Sequence, residues 1–190
     1  MSLLKRIEKS QAQGEPLRLS GKRVAVLVEE GFGDLEFWVP VMRLLEEGAM
    51  VTVVGTAAEK TVRGQSGLSA TGEVAAESVS AGDFEAILVP GGWAPDRLRR
   101  DPAIIELVRK MYNQDKIVGF IGHAGLVGIS AGIVREHKAT GSPGIKDDLI
   151  NAGATWVERA AVRDRNIVWG RDVEDIPAFC RELIKAIEVG

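Results

Sequence analysis

The residues best placed for chemistry lie where an apolar run of this chain ends abruptly. Ile117–Ile121 is followed directly by Gly122 and His123, and the small residues of 124–133 then favour a helix. A buried strand, a sharp turn and a helix form a nucleophile elbow, which presents one side chain at a helix N-terminus. A thiol there would be activated by the helix end and by a neighbouring His. Here the elbow residue is Gly122, which has no side chain.

Glycine at this turn predicts a cavity in place of a nucleophile. An elbow residue with a side chain holds strained backbone angles at a cost of ~1–3 kcal/mol, whereas glycine adopts such angles freely. Gly122 therefore relaxes the turn and leaves space above it. We expect a water or a small anionic ligand in that space, held by the helix end and by backbone N–H groups.

His123 is open to two interpretations. It is either a general base toward water, oriented by an acid, or a histidine that makes a structural hydrogen bond. No Ser or Thr replaces the nucleophile at the elbow, since Ser130 lies two helical turns further on.

The elements that position this turn are predicted from alternating apolar runs and amphipathic segments. The strands are expected at 22–28, 50–54, 84–89 and 117–121, and the main helices at 34–47, 102–114, 124–133 and 174–189. This alternation is typical of an α/β, doubly wound, mostly parallel sheet of the flavodoxin-like kind, in a three-layer sandwich. Ligands bind such sheets beyond the carboxyl ends of the strands, where Gly92 and Gly122 are expected.

The first helix, 34–47, carries an apolar stripe that we expect to face the core. Asp34 is expected to cap it, and Pro40 to bend it or to delay its regular start. The polar, Gly-rich stretch 59–80 predicts short strands or a hairpin, and 161–168 predicts a hairpin that turns at 164–166. The predicted core face of the first helix consists of Leu35, Trp38, Met42 and Leu45.

Composition limits the classes of function. The 190 residues favour one domain over 21–190, preceded by an N-terminal extension over 1–20. The net charge of −3 and the acids that flank the basic run 97–100 argue against a nucleic-acid partner. The chain has no apolar run of ~20 residues and no signal-peptide pattern, so we expect no membrane partner and a cytoplasmic location.

The sulfur and imidazole groups predict neither a metal site nor a cofactor. Cys180 is the only cysteine, and it lies among apolar residues at helical spacing, which indicates an inert core thiol. His123 and His137 are fourteen positions apart and form no metal-ligand pattern. Gly31-Phe-Gly33 lacks the third glycine of a dinucleotide fingerprint.

Several motifs occur in an order that matches one protein family. They are residues 30–36 with the later Pro40, residues 88–97, Gly122-His123, residues 129–135 and residues 143–157. Over residues 22–188 the chain resembles the PfpI-type intracellular proteases of the ThiJ/PfpI, glutamine-amidotransferase-like superfamily.

The resemblance assigns roles to five residues. Family members carry a cysteine before the elbow His, and Gly122 stands at that position. A glutamate that hydrogen-bonds the cysteine matches Gly33, so the resemblance implies that this partner is lost as well. Asp96 matches an acid that pairs with the His from a neighbouring subunit. The oxyanion donors would be the backbone N–H groups of Gly92 and His123.

The resemblance implies at least a homodimer and leaves three hypotheses for function. The first is a non-catalytic or strongly diverged homologue that binds a small ligand or acts in stress. The second is an intracellular hydrolase, a peptidase or an aldehyde- or deglycase-type enzyme, that uses water activated by His123 and Asp96. The third is a structural subunit in mixed oligomers.

Overall fold

The central element is a seven-stranded sheet. In the computed structural model, which describes residues 17–190, its strands are β1 Arg23–Leu27, β2 Met50–Gly55, β5 Val74–Ala75, β6 Ala86–Val89, β7 Ile117–Ile121, β10 Ala161–Asp164 and β11 Ile167–Gly170. Their order in the sheet is β10-β11-β7-β6-β1-β2-β5. Every neighbouring pair is parallel except β10 with β11. The predicted doubly wound α/β fold is confirmed.

Helices cover both faces of this sheet. One layer contains the first and last helices, which pack on each other, and the other contains the middle helices, which pack around the helix that follows the elbow. The helices are α1 Asp34–Glu46, α2 Ala94–Leu98, α3 Pro102–Asn113, α4 Gly125–Ala131, α5 Lys146–Asn151 and α6 Ile176–Val189. The three inner strands β1, β6 and β7 are almost wholly buried, as strands covered on both faces must be.

Two smaller sheets complete the fold. β3 Lys60–Arg63 and β4 Ser69–Gly72 form an antiparallel hairpin, which confirms the hairpin predicted within 59–80. β8 Lys138–Ala139 and β9 Thr155–Trp156 pair in parallel. The hairpin predicted at 161–168 is the β10–β11 pair.

The N-terminal extension is described only in part. Residues 1–16 of the predicted 1–20 segment lie outside the described residues. Leu19 is fully buried in the core, and its N–H donates to the carbonyl of Glu47 at 2.8 Å. The packed domain therefore includes residues before position 21.

The core face predicted for α1 is wrong at two of its four positions. Leu35 and Met42 are 53% and 50% exposed, whereas Phe37, Val41 and Leu44 are fully buried. Apolar residues occur on nearly every side of this helix, so the sequence offers two stripes, and packing against the sheet and α6 selects the other one. The other two residues of the predicted face do contact the core, since Leu45 is buried and Trp38 is half-buried.

Two further expectations about α1 are corrected. The helix starts at Asp34 and continues through Pro40, so its regular start is not delayed. Asp34 does not cap the helix, because Gly33 is the N-cap residue and makes no side-chain cap bond. Because Asp34 is the first residue inside the helix, its carboxylate accepts hydrogen bonds from the hairpin loop instead, from the N–H groups of Ser66 and Leu68, both at 2.7 Å.

Within residues 17–190, no helix has both the length and the apolar character that a membrane crossing requires.

The buried stripe of α1 can be tested with a matched pair of substitutions. We expect Phe37→Ala to lower the free energy of unfolding by about 3–5 kcal/mol, because it empties a fully buried site. Leu35→Ala, on the exposed side of the same helix, should change it by no more than about 0.5 kcal/mol. Urea unfolding of both variants measures this, and equal losses would contradict the assigned face.

Candidate functional site

The predicted elbow is present at the carboxyl end of β7. Gly122 has a φ of 62°, in the left-handed region that glycine adopts without strain. Residues Gly122–Ala124 form a 3₁₀ turn that leads into α4. α4 has only seven residues, so its dipole is weak. The N-terminus of α4 therefore gives little support to the small anion that we expected there from the sequence.

A carboxyl group fills the space above the elbow. A Cβ built on Gly122 would collide with Oε1 of Glu36, and one built on Gly33 would collide with Oε2 of Glu36. A Cβ at Gly91 would lie 2.9 Å from both oxygens. Three glycines from three loops therefore enclose this carboxyl group, and each leaves room for it by having no side chain.

Glu36 is held in conditions that favour its neutral form. The residue is 7% exposed, and no side chain of the described residues donates a hydrogen bond to its carboxyl group. Burial and, to a lesser extent, the nearby Asp172 carboxylate raise the pKa of Glu36, the backbone N–H of Gly92 lowers it, and the net result is a pKa of about 7. Glu36 can therefore exchange a proton near neutral pH.

Sequence reasoning missed Glu36. It expected the carboxylate partner of the elbow at position 33 and inferred from Gly33 that this partner was lost. The structure brings a carboxylate to the elbow from one helical turn later, where Glu36 lies on the same side of α1 as position 33. The signal was present in the motif Asp34-Leu-Glu36, but an acid in a first helical turn is ordinarily explained by the helix dipole.

Gly92 lies against residues 31–33, in the loop that precedes α1. Its φ is 78°, and a Cβ there would collide with backbone atoms of Gly31, Phe32 and Gly33, so glycine alone fits. Its N–H, a predicted oxyanion donor, interacts with the Glu36 carboxyl group. This donor is therefore already directed at the position above Gly122.

Two recesses open at the elbow and share Gly92, Trp93 and His123. We call the first, of about 360 Å³, the acidic recess. Its other lining residues are Gly33, Asp34, Leu35, Glu36, Gln65, Ser66, Asp172 and Val173. We call the second, of about 380 Å³, the arginine recess, and its other lining residues are Asp96, Arg97, Arg100 and Leu126.

His123 and Asp96 both line the arginine recess, but they do not form a pair within the chain. The exposed Asp96 carboxylate forms an ion pair with Arg100, one turn further along. The pairing of Asp96 with His123 across two subunits stays a prediction.

The other chemistry-bearing groups lie away from the elbow. Cys180 is 3% exposed, and burial raises the pKa of its thiol to about 11, which confirms the predicted core thiol. His137 is fully buried, with its Nε2 2.8 Å from the Tyr112 hydroxyl and its Nδ1 3.2 Å from Asp164. Residues 17–190 contain no group of three or more His, Cys, Asp or Glu side chains that could hold a metal.

Fold and site together define an α/β domain with an elbow turn and a buried carboxyl group above it. The sequence profile of the DJ-1/PfpI family matches residues 22–186, and the chain belongs to this family.

Three known proteins illustrate the similarity. The chain is 38% identical over 166 residues to Deglycase PYRAB04690 of Pyrococcus abyssi, covering 87% of this chain and 99% of that one. It is 36% identical over 167 residues to the putative cysteine protease YraA of Bacillus subtilis, covering 88% and 99%. A crystal structure of a two-domain protein from Anabaena variabilis, with DJ-1/ThiJ/PfpI-like and ferritin-like domains, superimposes with a TM-score of 0.85 at 33% identity. That match covers 86% of this chain and 47% of the longer protein.

The raised pKa of Glu36 predicts how stability depends on pH. A carboxyl group whose pKa rises from 4.5 to about 7 on folding stabilises the protein fully below 4.5, and this contribution is lost as pH rises to about 7. The free energy of unfolding lost across this pH range amounts to about 3 kcal/mol at most. Glu36→Gln has no titrating group at this position, so it should not lose this stability as pH rises. The free energy of unfolding of the variant minus that of the wild type should therefore be larger at pH 8 than at pH 4.5. Urea unfolding of both proteins across this range measures the gap, and a constant gap would contradict the shift.

Proposed function

We propose that this chain is a member of the DJ-1/PfpI family that binds a small ligand at the elbow and does not use thiol chemistry. The single observation that carries the proposal is the Glu36 carboxyl group in the space where a side chain at position 122 would begin. A covalent thiol mechanism needs a reactive sulfur at the elbow. Here the elbow residue is Gly122, and the only cysteine is buried in α6.

The names of two relatives show which chemistry this chain would lack. One relative is called a deglycase and another a putative cysteine protease. The second name implies a cysteine nucleophile, which this chain does not have at the elbow. We therefore infer that the fold and the pocket are kept while the thiol step is absent, and that the role is ligand binding, in stress or otherwise, at a cytoplasmic location.

The second candidate is a hydrolase that uses water. His123 and Asp96 line one recess, which supports it, but Asp96 is paired with Arg100 within the chain. This candidate needs Asp96 to leave that pair or to come from a partner subunit in a homodimer. A structural subunit of mixed oligomers would need neither residue, and no contact in the described residues favours it.

The test compares the wild type with Gly122→Cys on methylglyoxal and on a fluorogenic peptide. We expect the wild type to match the buffer blank, and Gly122→Cys to gain turnover of methylglyoxal that iodoacetamide abolishes. The new Cβ collides only with the flexible end of Glu36, which can rotate away. We use the single variant because Gly33→Glu would add a second collision with the same carboxyl group.

The wild type provides the control for the thiol reagent. Its only thiol, Cys180, is buried and has a pKa raised to about 11, so iodoacetamide should not modify it. Turnover by the wild type would overturn the proposal. If His123→Ala then abolished that turnover, the water-based hydrolase would replace it.

A further inference from the structure

The acidic recess combines features that select the charge of its ligand. Glu36 is more than nine-tenths buried, lines the recess, and has no cation beside it. Asp172 lines the same recess from the loop before α6, and its Oδ1 accepts a hydrogen bond from the N–H of Val173 at 2.8 Å. No Lys or Arg is among the described residues that line this recess.

The cations nearest in sequence are held elsewhere. The guanidinium of Arg171 binds Asp175 at 2.7 Å and Glu158 at 2.9 Å, so it does not neutralise Asp172. Arg97 and Arg100 line the arginine recess and are not among the residues that line the acidic recess. Apart from His123, no side chain that lines the acidic recess can therefore carry a positive charge.

Part of the rim of the acidic recess is apolar, and the exposed polar residues Gln65 and Ser66 form another part. Leu35, Trp93 and Val173 form the apolar part and are 53%, 67% and 39% exposed. An indole face at the mouth of an acidic pocket attracts an organic cation, and the aliphatic side chains suit a short alkyl group. The described residues offer no three-ligand set for a metal ion, so an organic cation fits better.

We propose that the acidic recess binds a primary ammonium or guanidinium group on a short alkyl chain, with the cation between Glu36 and Asp172 and the alkyl chain against the apolar part of the rim. This proposal rests on the proposed function, and it names the class of ligand. It also replaces the small anion expected from the sequence, because two carboxyl groups repel an anion at this place.

Binding of a cation requires Glu36 in its ionised form, so binding and proton release are linked. The carboxyl group of Glu36 titrates near pH 7, and a bound cation favours the carboxylate. Because about nine-tenths of Glu36 is ionised at pH 8 and about one-tenth at pH 6, affinity should be about tenfold higher at pH 8. The charged or titratable groups around Glu36 are Asp34, His123 and Asp172 in the acidic recess and Asp96, Arg97 and Arg100 in the arginine recess.

Isothermal titration calorimetry of the full chain tests the proposal with n-butylammonium and n-butylguanidinium, and with butyrate as the matched anion. Both cations keep their charge between pH 6 and 8. We expect both to bind, butyrate not to bind at the elbow, and the cation affinity to rise about tenfold from pH 6 to 8.

Variants locate the binding. Glu36→Gln should weaken cation binding about tenfold or more and remove its pH dependence, since a charge-assisted contact is lost. Asp172→Asn should weaken it as well. Glu174→Gln, which removes an exposed charge from the same loop outside the recess, should leave the affinity unchanged.

The proposal is overturned if butyrate binds at least as tightly as the cations, if neither cation binds, or if Glu36→Gln binds them as the wild type does. A flat pH profile of the wild type would overturn it without any variant. Turnover of methylglyoxal is measured separately, so wild-type turnover refutes the proposed function, while absent cation binding refutes only this assignment of the ligand.

Discussion

The site depends on the burial of one carboxyl group between three glycines. Gly33, Gly91 and Gly122 come from three different loops, yet a Cβ on any of them would meet the oxygens of Glu36. A buried carboxyl group without a cation is costly in its charged form, which is why its pKa rises toward neutral. The space left by a missing side chain at the elbow is thus not empty, and its occupant sets the chemistry of the pocket.

The parallel sheet brings these parts together. β1, β6 and β7 are neighbours in the sheet, and the loops after their carboxyl ends carry Gly33, Gly91 and Gly122. The bridge between Phe32 and Gly92 joins two of these loops. The Asp34 carboxylate binds the loop of the β3–β4 hairpin, which also lines the acidic recess. Each contact uses backbone donors or glycine, so the geometry is fixed by main chain more than by side chains.

The dependence of the site on main-chain geometry explains which parts of the structure could be predicted from the sequence. Apolar runs of β-branched residues predict buried strands well, and the abrupt end of Ile117–Ile121 at a glycine predicted the elbow. The buried face of α1 could not be predicted, because its sequence carries apolar residues on nearly all sides and the sheet decides between them. The role of Asp34 was missed for a similar reason, since a carboxylate at a helix start commonly caps the helix, and here the tertiary structure brings the backbone donors of Ser66 and Leu68 to it.

The motif that contains Glu36 is visible in the sequence, but its burial and its raised pKa could not be predicted, because they depend on glycines from three different loops. Its burial, its pKa and its position over Gly122 require residues 33, 91 and 122 to meet in space.

The most direct test of this account is a carbon-13 NMR titration of the glutamate side-chain carboxyls, with the Glu36 signal assigned by its absence in Glu36→Gln. We expect that signal to titrate near pH 7, well above the other glutamates. A Glu36 signal that titrates near its ordinary value of 4.5 would show a solvated carboxylate, and the account of an enclosed carboxyl group above Gly122 would be wrong.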